Sequence, residues 1–350
     1  MNPVSEGVIL GLATTAKAAV MMIFTMSIVP LLVWAERRGA ALIQDRPGPN
    51  RVGPLGLLQP IADSVKLFLK EDVTPTYADK LLHLVAPLIL FFPSLTAAAI
   101  VPFGSSIPLT IGGKAYDFPL VAADVNVGIL VFLGVASLGV YGVVLAGWSS
   151  NNKYSLMGGI RSSAQIISYE LAMSFAVLAV LLQAGSLRPS VVVEWQVANT
   201  WNVLPQFVGC IIFVVASFAE TNRVPFDLAE ADAELVGGFH TEYSSFRFGM
   251  FFMSEYMNMV AASAFITTLY FGGWSLPFVT FTGLWGGLAS IVVFFTKVIF
   301  FLCLFIWVRW TLPRFRYDQL MTLGWKILLP LSLANLLVTA AVVAATAAGK

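Results

Sequence analysis

Charged residues divide this chain into alternating blocks. Six stretches pass without a single Asp, Glu, Lys or Arg: Leu84–Gly113, Val125–Asn152, Leu171–Leu187, Trp195–Ala219, Tyr256–Thr296 and Ile327–Gly349. A helix needs about 20 apolar residues to cross a bilayer. With a further apolar segment after Glu6 and another across Lys297, the pattern predicts eight transmembrane helices, at about 8–35, 82–102, 125–148, 164–184, 202–220, 248–271, 286–310 and 326–348. Ordered polar loops are predicted at 36–81, 149–163, 221–247 and 311–325. A shorter period appears inside the first loop. Leu57, Leu58, Ile61, Val65, Phe68 and Leu69 recur at helical spacing around Pro60, while Asp63, Lys66 and Lys70 face away. That predicts an amphipathic helix lying in the membrane interface.

Composition supports the same class. The chain is 58% hydrophobic and 11% charged, against about 25% charged in a soluble domain. The fold class is therefore all-α and polytopic, a single membrane domain. The leader MNPVSEG carries no positive charge and no cleavage site follows it, so the first span reads as a retained helix rather than a cleaved signal. Of the 20 Lys and Arg, 15 fall in or flank the loops after odd-numbered spans and three on the opposite side. By the positive-inside rule those loops face the cytoplasm and both termini the periplasm. A net charge of +1 gives no pull toward nucleic acid.

Several chemistries are excluded. Two histidines, His83 and His240, are too few for a two-haem b-type cytochrome, which needs four axial ligands. There is no C-x-x-C pair, H-E-x-x-H, Walker A loop or dinucleotide fingerprint, so no metal site is expected. Cys210 and Cys303 lie inside predicted spans and read as packing residues.

The chemistry that remains is acidic. Glu36, Glu170, Glu220 and Glu255 fall within or at the ends of predicted spans. Glu170 lies nine residues beyond Arg161, roughly 12 Å along a helix. Ionisable groups at such depth are costly and usually mark an ion or proton path; a carboxyl hydrogen-bonded between helices is the plainer alternative. The stretch AETNRVPFDLAEADAELVGGFHTEY gathers Glu220, Asp227, Glu230, Asp232, Glu234 and Glu242 around one Arg223. The spacing of Asp227, Glu230 and Glu234 places them on one face if that piece is helical. Interleaved Val224, Phe226, Leu228, Leu235, Val236 and Phe239 predict a packed segment rather than a solvated loop. In the first loop, prolines and glycines shape a segment in which Asp63, Arg37, Arg46 and Arg51 can meet a polar headgroup, with the amphipathic helix as one wall of a crevice. A simple surface anchor would show the same periodicity.

The blocks ERRGAALIQDRPGPNRVGPLGLLQPIADSVKLFLKED, GWSSNNKYSLMGGIRSSAQIISYELAMS, FAETNRVPFDLAEADAELVGGFHTEYSSFRFGMFFMSEY and PRFRYDQLMTLGWKILLPLSLAN resemble the H-subunit family of proton-translocating NADH:quinone oxidoreductase, respiratory complex I, and its mitochondrially encoded counterpart. The resemblance spans almost the whole chain. It implies a proton path through Glu170, Glu220, Asp227, Glu230, Asp232, Glu234 and Glu255, and a quinone chamber bordered by Arg37, Arg46, Asp63 and Arg223. It also implies quinone as substrate, with FMN and iron–sulfur clusters on partner subunits and none on this chain. The partners would be other complex I subunits and membrane lipid. Val224, Asp232 and Arg247 depart from the expected Ala, Glu and Lys, but none removes a charge, and His240 suggests a bacterial inner-membrane member. Two other readings stay open: a component of a related membrane-bound hydrogenase-type complex, and a stand-alone cation or proton transporter, although no inverted repeat is visible.

Overall fold

The computed structural model describes residues 3–111, 114–277, 279, 281 and 283–348. Its helices are α1 (Pro3–Ile43), α2 (Gln59–Leu69), α3 (Lys80–Ala97), α4 (Gly128–Ser149), α5 (Lys153–Ala184), α6 (Pro189–Ala198), α7 (Phe207–Glu220), α8 (Asp232–Leu235), α9 (Ser245–Tyr270), α10 (Gly283–Thr311), α11 (Tyr317–Thr322) and α12 (Leu329–Ala348). A π-helical turn, Leu323–Leu328, joins the last two into one continuous rod. The protein is an all-α polytopic membrane protein.

A helix stands at each of the eight predicted positions, and six are long and apolar enough to cross a membrane by length and composition. The other two are α7 and α9. Helix α7 has 14 residues, about 21 Å of rise, because its predicted first turns, around Pro205, form a non-helical connection. Helix α9 has 26 residues but is interrupted by the polar side chains of Arg247, Glu255 and Asn258.

Three sequence expectations change. Helix α5 begins at Lys153, so most of the predicted loop 149–163 is helix. Asn152 caps it by accepting from the Tyr154 N–H, and Gly185, in the left-handed region, closes it. The connection 103–124, where the hydropathy pattern predicts no element, contains an antiparallel pair, β1 (Ile107–Ile111) with β2 (Lys114–Phe118), in register Ile107 to Phe118. The third change is in the acidic segment, where Asp227 and Glu230 lie in irregular chain, one α-helical turn forms at Asp232–Leu235 and a 3-10 turn at Gly238–His240.

Helix α9 is the hub: from Met259 to Tyr270 every residue is buried. Phe265 stacks on Phe132 of α4 with ring centroids 3.8 Å apart, and Tyr270 donates to the Ala176 carbonyl of α5. Helices α3 and α4 meet closely at Gly142, where a Cβ would stand 2.9 Å from the Leu90 nitrogen and 3.0 Å from the Ala86 oxygen. On α2 the apolar stripe Ile61, Val65, Phe68 and Leu69 is exposed, while Asp63 turns inward to α1. The amphipathic helix therefore keeps its apolar side on the outer surface.

Candidate functional site

Two features share α9. The first is a mostly apolar cavity of about 220 Å³ between α1, α2 and α9, walled by Val29, Val33, Phe68, Phe246, Phe252 and Met253. Its polar corner is an ion pair, Arg37 to Asp63 at 2.6 Å, with Gln59 donating to the other Asp63 oxygen at 3.3 Å. Local contacts build the walls. Ser245 Oγ donates to the carbonyls of Leu67 and Lys70, satisfying the end of α2. Phe68 stacks on Phe246 at 4.5 Å. Arg46 lies apart from this cavity, exposed and bonded to Gln44.

The second feature is a buried charge network that begins where α7 ends. Arg223, 4% exposed, lies 3.6 Å from Glu36 and 3.3 Å from Glu255. Its guanidinium also covers the Tyr256 ring at 4.3 Å. Tyr256 donates to Glu36 at 2.7 Å, and Arg309 pairs with the other Glu36 oxygen. Charges from α1, α9, α10 and the α7–α8 loop thus meet in one place. Burial opposes the charge on Arg223, but Glu255, Tyr256 and Glu36 together hold its affinity for a proton above the ordinary arginine value.

The acidic loop is held by neutral groups from α5. The Gln165 amide donates to the Ala219 and Phe226 carbonyls, both at 2.8 Å, and Ser162 bonds Asn222. Gly238 has a φ of 64°, and a Cβ there would stand 1.8 Å from the Ala229 oxygen. Only glycine lets the loop fold back on itself at that point.

The carboxylates of this loop take separate partners. Asp227 pairs with Arg314 at 2.8 Å, Glu234 with Arg161 at 2.6 Å, and Glu230 approaches His240 at 3.5 Å. This divergence is why the predicted helical face of Asp227, Glu230 and Glu234 does not form: each acid follows a cation on a different element. Asp232 opens α8, but its side chain lies outside the described residues. Burial, reinforced by the charge of Glu230 and partly offset by Arg314, raises the Asp227 pKa to about 7. Burial also opposes ionisation of Glu230, but the nearby His240 prevails and holds it below the usual range. Reciprocally, burial disfavours the His240 cation, yet Glu230 raises its pKa above the ordinary value.

Deeper in, Glu230 and Glu255 are near enough for their charges to interact. Glu255 and Glu220 both line a cavity of about 30 Å³ with Asn222, Asn258 and apolar residues including Val140, Ile166 and Phe239, about the size of a single water. Glu170 on α5 accepts from Ser137 of α4 and is near enough to Glu220 for their charges to interact. Glu170, Glu220, Glu255 and Glu230 therefore form a chain of neighbours, with Asp227 at its outer end. Among the described residues no group of three or more His, Cys, Asp or Glu is arranged to hold a metal ion.

Several participants carry no local sequence signature. Tyr256, Arg309, Arg314, Arg161, Ser137 and His240 all touch a candidate acid, and Glu36 stands out in the sequence only as a span-end acid. A signal was present, since Glu36, Arg309 and Arg314 fall at or just beyond span ends on the same predicted side. His83 stacks on Tyr243 at 3.9 Å and bonds Arg247 at 3.0 Å.

Comparison with known proteins adds the family. Residues 16–340 match the family model described as NADH dehydrogenase. The chain is 50% identical over 341 residues to a Rhodothermus marinus protein named NADH-quinone oxidoreductase subunit 8, covering 93% of this chain and 96% of that one. It is 50% identical over 340 residues to the H subunit of NADH-quinone oxidoreductase from Salinibacter ruber, covering 93% and 95%. One of the H subunits of Cytophaga hutchinsonii is 48% identical over 324 residues, covering 91% and 94%.

Proposed function

Because this chain belongs to the NADH dehydrogenase family, as an H-type membrane subunit of NADH-quinone oxidoreductase, we propose that it walls a quinone chamber and begins the proton path coupled to quinone reduction. One observation carries the reading. Helix α9 contributes Phe252 and Met253 to the apolar cavity, and Glu255 just beyond them to the buried charge network. Both features therefore move with the same short piece of helix.

In this reading the cavity between α1, α2 and α9 takes the isoprenoid tail, and the Arg37–Asp63 pair marks its polar side. Arg223 acts through the network rather than on the quinone. Reduction of a quinone takes up two protons and passes through negatively charged intermediates, which buried carboxyls feel strongly at low dielectric. Glu230 and Glu255 interact electrostatically, so a change of charge nearby shifts their proton occupancy as a coupled titration. Glu220 and Glu170 extend the path into the bundle. In the same reading the chain crosses the membrane eight times, with the Lys- and Arg-rich loops cytoplasmic and both termini periplasmic, and this network lies beside a peripheral arm that carries the flavin and iron–sulfur centres. The bacterial inner membrane is the corresponding location.

The test uses the intact complex. Photo-labelling with a quinone analogue should mark residues 37–70 and the Phe246–Met253 stretch. Infrared difference spectra on quinone reduction should show carboxylic acid bands that diminish in Asp227→Asn, Glu230→Gln and Glu255→Gln. Labelling confined to other surfaces would remove the chamber from this chain, and bands unchanged in every variant would remove the proton path.

A further inference from the structure

We propose that Lys297 is an electrostatic plug that closes the helix bundle to protons at the end opposite the acidic network. The inference rests on the reading above that the bundle spans a membrane supporting a proton gradient.

Lys297 sits midway along α10 and turns its side chain into the bundle. Its ammonium donates to three backbone carbonyls, Phe271 at 2.7 Å, Gly273 at 3.0 Å and Ser275 at 2.5 Å. It also lies 4.4 Å from the centre of the Trp201 ring. All three of its protons are thus used, and the indole face covers the cation. The carbonyls converge because the chain after α9 turns through Gly272 and Gly273, both at positive φ. They follow the C-terminal end of α9, where the helix dipole favours a positive charge.

Trp201 and Ser275 have a second role. They line a cavity of about 580 Å³ between the α6–α7 and α9–α10 connections, and its rim residues Val197 and Leu204 are exposed. Buried polar groups begin in that wall itself with Gln196, which lines the cavity and is 2% exposed. Gln196 donates to the Thr268 carbonyl and accepts from the backbone N–H groups of Asn202 and Gly272. Asn202 is fully buried, and its Oδ1 has no hydrogen-bond partner. Gln206, Asn335 and Thr339 continue this polar interior between α7 and α12.

One end of the bundle therefore carries proton-accepting acids, and the other combines a surface cavity with buried amides. Helix α9 connects them, over about 22 Å from Glu255 to Tyr270. Hydration of that interior would short-circuit the gradient. The lysine charge stands behind the cavity wall, bonded to Ser275 and covered by Trp201. A fixed cation in a low-dielectric constriction opposes entry of protons and other cations.

The test is passive proton flux through the purified complex in sealed vesicles, carrying Lys297→Arg, Lys297→Gln or Lys297→Met. An imposed pH step, with no NADH or quinone present, is followed by an internal pH dye. The Arg variant should hold the step as wild type does. The Gln and Met variants should lose it several-fold faster while their quinone reduction rate stays unchanged. Gln and Met variants that assemble normally and remain as tight as wild type would overturn the proposal. Failure of all three variants to enter the complex would equally overturn it, assigning Lys297 to folding alone. Passive decay is read without turnover, so it is independent of the coupling reading, whose own failure would appear as a wild-type complex that builds no gradient from NADH.

Discussion

The guanidinium of Arg223 lies 3.3 Å from the carboxylate of Glu255, with the two side chains only 4% and 15% exposed. Arg223 stands in the turn after α7 and Glu255 on α9, so this pair fastens the acidic loop to the central helix. The same guanidinium reaches Glu36 at 3.6 Å. One cation thereby compensates two buried acids from different helices.

Removing that cation should be severe. Breaking a buried ion pair by deleting one partner costs about 3–5 kcal/mol, because the remaining charge is left in a poor solvent. Arg223→Met should therefore lower assembly of the complex and its thermal midpoint, read on native gels and by heat inactivation. Arg223→Met combined with Glu255→Gln should recover part of the loss, since the two residues are coupled.

Asp227 supplies a pH dependence. Its pKa rises from 3.8 to about 7 in the fold, so the native state binds its proton more tightly than the unfolded chain. The associated stability is complete below about pH 4 and is lost as the pH rises through about 7. Arg314 opposes this shift. A limb near pH 7 in the rate profile should move to higher pH in Arg314→Gln and vanish in Asp227→Asn.

The His240–Glu230 contact has a base on one side, and its sign differs. His240 is raised above 6.5 by Glu230 despite burial. Its contribution is fully present below pH 6.5 and disappears as the pH rises through the higher folded value. His240→Gln should therefore be less stable than wild type in mildly acidic buffer, with the difference shrinking toward alkaline pH. Heat inactivation across a pH series measures this.

Glu170 and Glu255 distinguish proton transfer from packing. Gln has the size and hydrogen-bonding reach of Glu but cannot change charge. At normal assembly, Glu170→Gln and Glu255→Gln should slow proton-coupled turnover by on the order of a hundredfold, the usual contribution of a positioned acid or base. Ser137→Ala, which removes only the hydroxyl donor to Glu170, should have a milder effect. A full gradient at full turnover in both Gln variants would return these acids to a structural role.

Gly238 tests how tightly the loop is seated. A methyl group there would collide with the Ala229 carbonyl and require a left-handed backbone. Gly238→Ala should cost more than about 1 kcal/mol and loosen the loop, visible as faster proteolysis or amide exchange across 221–244.

Much of the fold was legible because a bilayer leaves the chain few choices. Backbone groups in lipid must be satisfied within the segment, so an uncharged run of sufficient length becomes a helix whatever its neighbours are. The amphipathic helix after Pro60 was legible for a related reason: its apolar stripe and its polar side demand different surroundings. The costly position of Glu170 and Glu255 inside apolar runs singled them out. The strand pair Ile107–Ile111 and Lys114–Phe118 and the early start of α5 were less visible, since hydropathy reports burial in lipid and says little about polar segments at its edge.

The sequence by itself determined the all-α membrane class and singled out the buried acids as candidates. Their partners came only from the tertiary structure. Asp227 meets Arg314 across 87 residues and Tyr256 meets Glu36 across 220, contacts that no local spacing encodes. The spacing of Asp227, Glu230 and Glu234 suggested one helical face, but three cations on three elements pull them apart. The physical reason is range. Helix formation is settled within a few residues by hydrogen bonds and hydropathy, whereas a buried charge is stabilised only by the opposite charge that packing brings to it.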